Sequence, residues 1–146
     1  MIARDLHNTL SYERGISPIT QTNSDTAIVS QIIDMADKLA LEFVIMTGGL
    51  TDANATFAVL VEDGDDSGLS DAAAVADEFL LPSDTGQEAA AGFTFADDNA
   101  IKKIGYRGIK RYVRLTVTPT GNDSGAAPVA VLAVGLPRLR ANVNGS

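Results

Sequence analysis

Alternation of apolar and polar positions is the strongest pattern in the chain, and it is clearest over residues 109–118. Val113, Leu115 and Val117 fall on one side of an extended segment. The other side carries Tyr112, Arg114, Thr116 and Thr118. Because successive side chains of a strand point to opposite faces, this pattern predicts a strand whose three aliphatic residues face the core.

Further strands are predicted along the rest of the chain, at residues 27–34, 41–46, 57–62, 75–81, 92–95 and 129–134. A helix is the alternative for residues 28–40, because Ile28, Ile32, Met35 and Leu39 also recur at three- and four-residue spacing. The turn residues between 48 and 54 predict a β-hairpin with a long loop that joins the second and third strands.

The segment Val129–Val134 is apolar at every position and so on both faces, as expected for a strand in the middle of a sheet. We expect it beside residues 113–117, as an adjacent core strand. Gly105 and Gly108 precede the clearest strand, where glycine would supply a positive φ or a bulge.

These segments are separated by glycine- and aspartate-rich turns, and no long helical periodicity accompanies them. They predict a mainly β fold, either an antiparallel β-sandwich or a short barrel with jelly-roll-like topology. We assign residues 27–138 to this β domain, residues 1–26 to an N-terminal arm and residues 139–146 to an exposed C-terminal tail. In the arm, Leu6 and Leu10 share one face of a helical turn too short to be stable without a partner.

Composition narrows the function classes. The chain has 146 residues, enough for one domain, and it contains no cysteine, which excludes disulfides and thiolate nucleophiles. The longest uncharged apolar stretch, residues 126–136, is too short to cross a bilayer, and we expect neither a classical secretion signal nor a membrane span. A net charge of −8 disfavours binding to nucleic acid or anionic lipid.

Positive charge is concentrated in one stretch. Six of the 11 basic residues fall between positions 102 and 114, and no acid occurs between Asp98 and Asp123. They are Lys102, Lys103, Arg107, Lys110, Arg111 and Arg114. Two interpretations stay open: Lys110 and Arg114 pair with acids across the sheet as part of a structural strand, or the stretch forms a docking patch for an acidic partner or a neighbouring copy.

The sequence offers little catalytic or metal-binding chemistry. From Asp63, the spacing of Asp65, Ser67 and Gly68 resembles a calcium loop, but its twelfth position is Ala74 where a bidentate Glu belongs, so we expect a solvated turn. His7 is the sole histidine. We predict no catalytic residue, no metal site and no cofactor, and we expect that the protein is not an enzyme.

Three segments carry a family resemblance: Phe57–Asp66, Ile104–Leu115 and Val131–Arg138. Together they resemble a family of small structural proteins of tailed bacteriophages that are encoded beside the major capsid protein. The resemblance covers roughly residues 27–138, and the run from Gly105 to Arg114 is its most specific part. It brings no catalytic residues.

The resemblance implies a virion protein that is made in the host cytoplasm and sits on the capsid surface. It implies a decoration or cement protein whose partner is the major capsid protein, and the symmetry of such a lattice implies a homotrimer. A tail or head-to-tail adaptor component, or a β-sandwich module that binds a host surface or carbohydrate, are the alternatives. We expect the contacts at Leu6 and Leu10 and at the six basic residues of positions 102–114.

Overall fold

The computed structural model describes residues 4–82 and 86–138. In chain order, its elements are α1 (Leu6–Thr9), β1 (Ser11–Thr22), β2 (Ile28–Val29), β3 (Ile33–Asp34), β4 (Lys38–Thr47), β5 (Thr56–Gly64), β6 (Ala73–Ala74), a 3₁₀ turn (Asp77–Phe79), β7 (Leu80–Leu81), α2 (Gln87–Ala91), β8 (Phe93–Thr94), β9 (Ile101–Tyr106), β10 (Tyr112–Thr120) and β11 (Ala126–Pro137).

The strands form two antiparallel sheets packed face to face. One sheet has five strands in the order β1-β11-β4-β9-β7, and the other has the order β2-β10-β5-β6, with β3 also pairing with β10 and β8 with β5. The sheets do not close into a barrel. Of the two predicted architectures, the antiparallel β-sandwich is therefore confirmed.

The inward faces of both sheets supply the core. Val113, Leu115 and Val117 of β10 are completely buried, as their alternation predicts. They are opposed by fully buried side chains of the five-stranded sheet, among them Phe43, Ile45, Ile104 and Tyr106. Burial of each large apolar side chain contributes roughly 1.5–3 kcal/mol to folding, so these positions account for much of the driving force.

The expectation that β10 and β11 are neighbours in one sheet is wrong. They lie in opposite sheets, and residues 121–125 carry the chain from one to the other. The Asp25 carboxylate accepts hydrogen bonds from the N–H groups of Gly121 and Asn122 at 3.0 and 2.8 Å, and Gly121 adopts a φ of 72°. These bonds turn the chain away from its own sheet, which pattern alone does not predict.

The predicted hairpin of residues 41–46 and 57–62 is wrong for a similar reason. Both strands exist, but β4 lies in the five-stranded sheet and β5 in the other. Leu50 and Ala55 of the connection are buried, and the N–H of Leu50 donates to the Asp98 carboxylate at 2.7 Å. The connection thus packs across one end of the core and does not form a free loop.

Two weaker strand predictions are only partly right. Residues 27–34 form the short strands β2 and β3, both paired with β10, and the structure has no helix over residues 28–40 in this described segment. Of residues 75–81, only Leu80 and Leu81 are in a strand, and a 3₁₀ turn precedes them.

The prediction that residues 1–26 form an arm outside the β domain is wrong for Ser11–Thr22. These residues form β1 at the edge of the five-stranded sheet and pair with β11. Register shifts between Arg14 and Ile16 and between Ile16 and Ile19 interrupt the alternation of its side chains. That irregularity explains why the sequence pattern did not reveal the strand. The predicted tail, residues 139–146, lies outside the described residues.

Candidate interaction surfaces

Five of the six basic residues of positions 102–114 pair with acids of the same chain. Their partners are Asp97 for Lys102 (3.0 Å), Glu42 for Lys103 (3.9 Å), Asp65 for Lys110, Asp34 for Arg111 (3.0 Å) and Glu62 for Arg114 (3.0 Å). The sixth, Arg107, donates from Nε to the carbonyl of Glu78 at 3.0 Å. Five of the six cations thus have an acidic partner within the chain, and Arg114 pairs across the sheet as the first interpretation expects.

Two of these ion pairs fasten the loop of residues 107–111. Arg111 donates from Nε and Nη2 to the two carboxylate oxygens of Asp34 at 3.1 and 3.0 Å, a bidentate geometry. This hydrogen bonding holds the pKa of Asp34 below its ordinary value. Lys110 binds Asp65, and that ion pair raises the pKa of Lys110. The loop is thus tied to β3 and to the turn after β5.

Tyr106 and Gly108 fix the same loop from inside. Tyr106 is buried, and its hydroxyl donates to Asp63 Oδ2 at 2.7 Å; burial and this carboxylate together raise the pKa of Tyr106. A Cβ on Gly108 would collide with the Tyr106 ring, so glycine at this position lets the backbone lie close to that ring. Of the positive φ or bulge expected at these two glycines, neither Gly105 nor Gly108 has a positive φ, and Gly105 packs against Leu81 in a regular pairing of β9 with β4.

Ile109 projects from this fastened loop with 87% of its surface exposed. Leu39 of β4 is also exposed and borders the same hollow, together with Met35, Arg111 and Arg138. The loop therefore presents one large apolar side chain, in a fixed position, within a ring of basic and apolar groups.

A second surface is the outward side of the five-stranded sheet, which we call the outer face. It comprises Tyr12, Arg14, Glu42, Val44, Met46, Ile101, Lys103, Ala130, Leu132 and Val134. Met46, Ile101 and Leu132 are 54%, 64% and 42% exposed. The solvent side of an antiparallel sheet is ordinarily polar, whereas this one is mostly apolar. The opposite side of the sandwich follows the rule, since it carries the Arg114–Glu62 pair and Thr118.

The sequence did contain a signal for the outer face. Val129–Val134 is apolar throughout, as expected for a strand in the middle of a sheet, and β11 does lie between β1 and β4. In the structure, Val129, Val131 and Ala133 point into the core, whereas Leu132 and Val134 belong to the outer face. Within the described residues nothing covers that second side, so its apolar character marks a surface.

The other predicted contact residues lie at the border of the outer face. Leu6 is largely exposed in α1, and Leu10, at the end of this turn, is half-buried. The Tyr12 hydroxyl donates to the Leu6 carbonyl at 3.5 Å, which places α1 beside β1. His7 is exposed in the same turn.

The acidic turn after β5 uses its carboxylates to hold its own backbone. Asp71 accepts hydrogen bonds from the N–H groups of Asp65 and Asp66 at 2.8 and 3.1 Å, and Asp66 accepts from Gly68 and Ser70 at 2.9 and 3.2 Å. These bonds lower the pKa of both acids. Among residues 4–82 and 86–138, no group of three potential metal ligands comes together. The helices of that same part of the chain are all too short or too polar to cross a membrane.

Comparison with known proteins gives a likeness of fold. No protein-family model matches the chain, and no curated protein matches it. Among solved structures, the crystal structure of PBSX exported protein XepA is similar, with a TM-score of 0.53 and 12% sequence identity. The chain is similar in fold to a part of XepA. The similarity covers 92% of this chain but 40% of XepA, so this chain corresponds to less than half of that protein.

Proposed function

We propose that the chain is a structural component of a phage particle, and in particular a decoration or cement protein that binds the major capsid protein on the outside of the head. Two independent likenesses support a phage origin. The sequence resembles small structural proteins of tailed phages, and the sandwich is similar in fold to a part of the phage-related PBSX exported protein XepA.

The observation that carries the proposal is Ile109. A protein whose role is to bind another surface needs an anchor that can be buried, and Ile109 exposes 87% of its surface on a loop held by the Arg111–Asp34 and Lys110–Asp65 ion pairs. Burying such a side chain contributes roughly 1.5–3 kcal/mol. Because the loop is already fixed, little conformational entropy opposes binding.

The pairing of the basic residues changes the expected character of the contact. A free cationic patch would make binding strongly salt-dependent, whereas Lys110 and Arg111 already have carboxylate partners. We therefore expect attachment to depend mainly on apolar contact at Ile109 and Leu39, with modest sensitivity to salt. Each bound copy would then stabilise the shell by mass action, since it binds the assembled lattice and not the separated subunits.

The test is to add purified protein to heads that lack it, and then to measure occupancy and the temperature at which the heads open. We expect wild-type protein to bind and protect, and Ile109→Asp to bind about 10- to 100-fold more weakly because a carboxylate replaces the buried anchor. Val29→Asp is the matched control, since Val29 is an exposed β-branched residue on the other sheet. Leu6→Asp tests the predicted contact at α1.

Two results would count against the proposal. Equal occupancy by wild-type and Ile109→Asp would move the contact away from the 107–111 loop. Failure of wild-type protein to bind heads at all would favour the tail, adaptor or host-binding alternatives.

A further inference from the structure

We propose that the outer face of the five-stranded sheet packs against the same face of a second copy of this chain, about a twofold axis. This pairing uses a surface separate from Ile109 and goes beyond the proposed attachment to heads.

The size of the outer face fits such a pairing. Its central strands, β11 and β4, have 12 and 10 residues, and β1 and β9 flank them. At about 3.4 Å per residue and 4.8 Å between strands, the residues of the outer face cover about 20 by 17 Å, and the remaining lengths of β11 and β4 extend this to about 30 Å at the centre of the sheet. Such a pair would therefore lie at the small end of the range for specific interfaces, whose standard size is roughly 800 Å² per partner. Two such faces would pack about 10 Å apart, as the sheets within a sandwich do.

The register of the strands arranges the outer face in rows across the sheet. One row contains Arg14, Leu132, Val44 and Lys103, which are directly paired from β1 to β9. The adjacent row contains Tyr12, Val134, Glu42 and Gly105. The first row thus has a cation at each end, and the second has an aromatic ring at one end and a carboxylate near the other.

These two rows complement each other. A twofold axis that lies in the interface, perpendicular to the strands and between the rows, places each row against the other row of the second copy. Leu132 then meets the partner's Val134, and Arg14 meets the partner's Tyr12, where a cation–π contact is available. Val44 meets the partner's Glu42, and Lys103, opposite the partner's Gly105, lies diagonal to that carboxylate.

The alternative axis, parallel to the strands, is unfavourable. It would set Arg14 against the partner's Lys103, two cations at the border of an apolar interface. Of these two axes, the first alone avoids this contact between like charges. The net charge of −8 opposes pairing only weakly, because at physiological salt charges more than about 8 Å apart are largely screened. The trimer expected from lattice symmetry would need a different contact.

Sedimentation equilibrium of the full chain tests the pairing. We expect wild-type protein to be a dimer at micromolar concentration. Leu132→Glu and Val134→Lys should each be monomeric, with dissociation constants raised about 100-fold or more, because a twofold interface contains every change twice. Thr118→Lys, an exposed strand residue on the opposite sheet, should leave the dimer intact. Thermal unfolding of each variant checks that the monomer is folded.

Mixing the two monomeric variants provides the sharper test. In a mixed pair, the new carboxylate at position 132 meets the new ammonium at position 134 of the other copy, while the unchanged Val134 meets the unchanged Leu132. We therefore expect the mixture to form a dimer that neither variant forms alone, and this dimer should weaken at high salt.

A monomeric or trimeric wild-type protein would overturn the inference, and so would a mixture that stays monomeric. A partner other than a second copy would show itself as a wild-type monomer whose binding to heads is lost in Leu132→Glu. The pairing and the attachment to heads can fail separately, since the first is measured without heads and the second by Ile109→Asp.

Discussion

Asp52 Oδ2 accepts hydrogen bonds from both the backbone N–H and the hydroxyl of Ser124, at 2.9 and 3.2 Å. Asp52 lies between β4 and β5, and Ser124 lies between β10 and β11, so one carboxylate joins the two connections that cross from sheet to sheet. Its other oxygen accepts from the N–H of Asn54 at 3.0 Å. The two connections between the sheets, which the sequence pattern did not predict, are thus held together by a specific polar contact.

This contact predicts a pH-dependent contribution to stability. The N–H groups of Ser124 and Asn54 lower the pKa of Asp52 below its ordinary value of 3.8. A carboxyl whose folded pKa is lowered stabilises the fold above its unfolded pKa, and this contribution is lost as the pH falls through the folded pKa. We expect Asp52→Asn to lower the melting temperature at pH 7, and the difference from wild type to shrink as the pH drops below about 3.8.

Asp123→Asn is the matched control for this change, because Asp123 is an exposed acid in the same connection. Its melting temperature should follow that of the wild type at every pH. An Asp52→Asn variant that melts with the wild type at pH 7 would show that the carboxylate does not hold the crossings together.

The hydrogen bond from Tyr106 to Asp63 predicts a measurable loss in Tyr106→Phe. The ring would still fill its place between β9 and β5, but the carboxylate of Asp63 would lose its 2.7 Å donor. Hydrogen bonds to charged groups contribute roughly 1.5–3 kcal/mol, so we expect a loss of this size in denaturant unfolding. Tyr112→Phe is the comparison, since the Tyr112 hydroxyl has no hydrogen-bond partner among the described residues, and it should cost much less.

The assignment of faces on β10 predicts unequal losses at two adjacent positions. Leu115 is completely buried, so Leu115→Ala should destabilise the fold by about 2–5 kcal/mol. Thr116 points outward and is half-buried, and Thr116→Ala should cost less than about 1 kcal/mol. Chemical denaturation of both variants decides the matter, and similar losses would contradict the assignment of faces.

The sequence predicted the parts of the fold that depend on local alternation. The strand of Val113, Leu115 and Val117 and the sandwich class follow from period-two patterns, which are a property of the strand itself. The order of the strands in the sheets does not follow from such patterns. β4 and β5 lie in different sheets, and the connection between them is held by hydrogen bonds with Asp98 and Ser124, which are distant in the sequence. Such long-range hydrogen bonds leave no periodic trace in the sequence.

The candidate surfaces, too, are only partly predictable from the sequence. The charges between Lys102 and Arg114 are conspicuous in the sequence, yet their neutralisation depends on acids as far away as Asp34. Ile109 is one isoleucine among many in the sequence, and only the folded loop shows that it is exposed. Leu132, by contrast, belongs to an apolar run that is evident in the sequence, but the sequence does not show that one side of this run faces solvent.

The cross-strand pair of Arg114 and Glu62 provides a test of whether the basic residues serve the fold or a partner. The two residues are directly opposite on β10 and β5, with 3.0 Å between Nε and Oε2, and they are 28% and 20% exposed. Like charges directly opposite on a sheet are destabilising. We expect Arg114→Glu and Glu62→Arg each to lower the free energy of unfolding by about 0.5–1 kcal/mol, because solvent still screens the site. The double variant Arg114→Glu/Glu62→Arg should recover most of the loss in denaturant unfolding. If Arg114→Glu left stability unchanged but abolished binding to heads, Arg114 would act on a partner and the second interpretation of the basic stretch would stand.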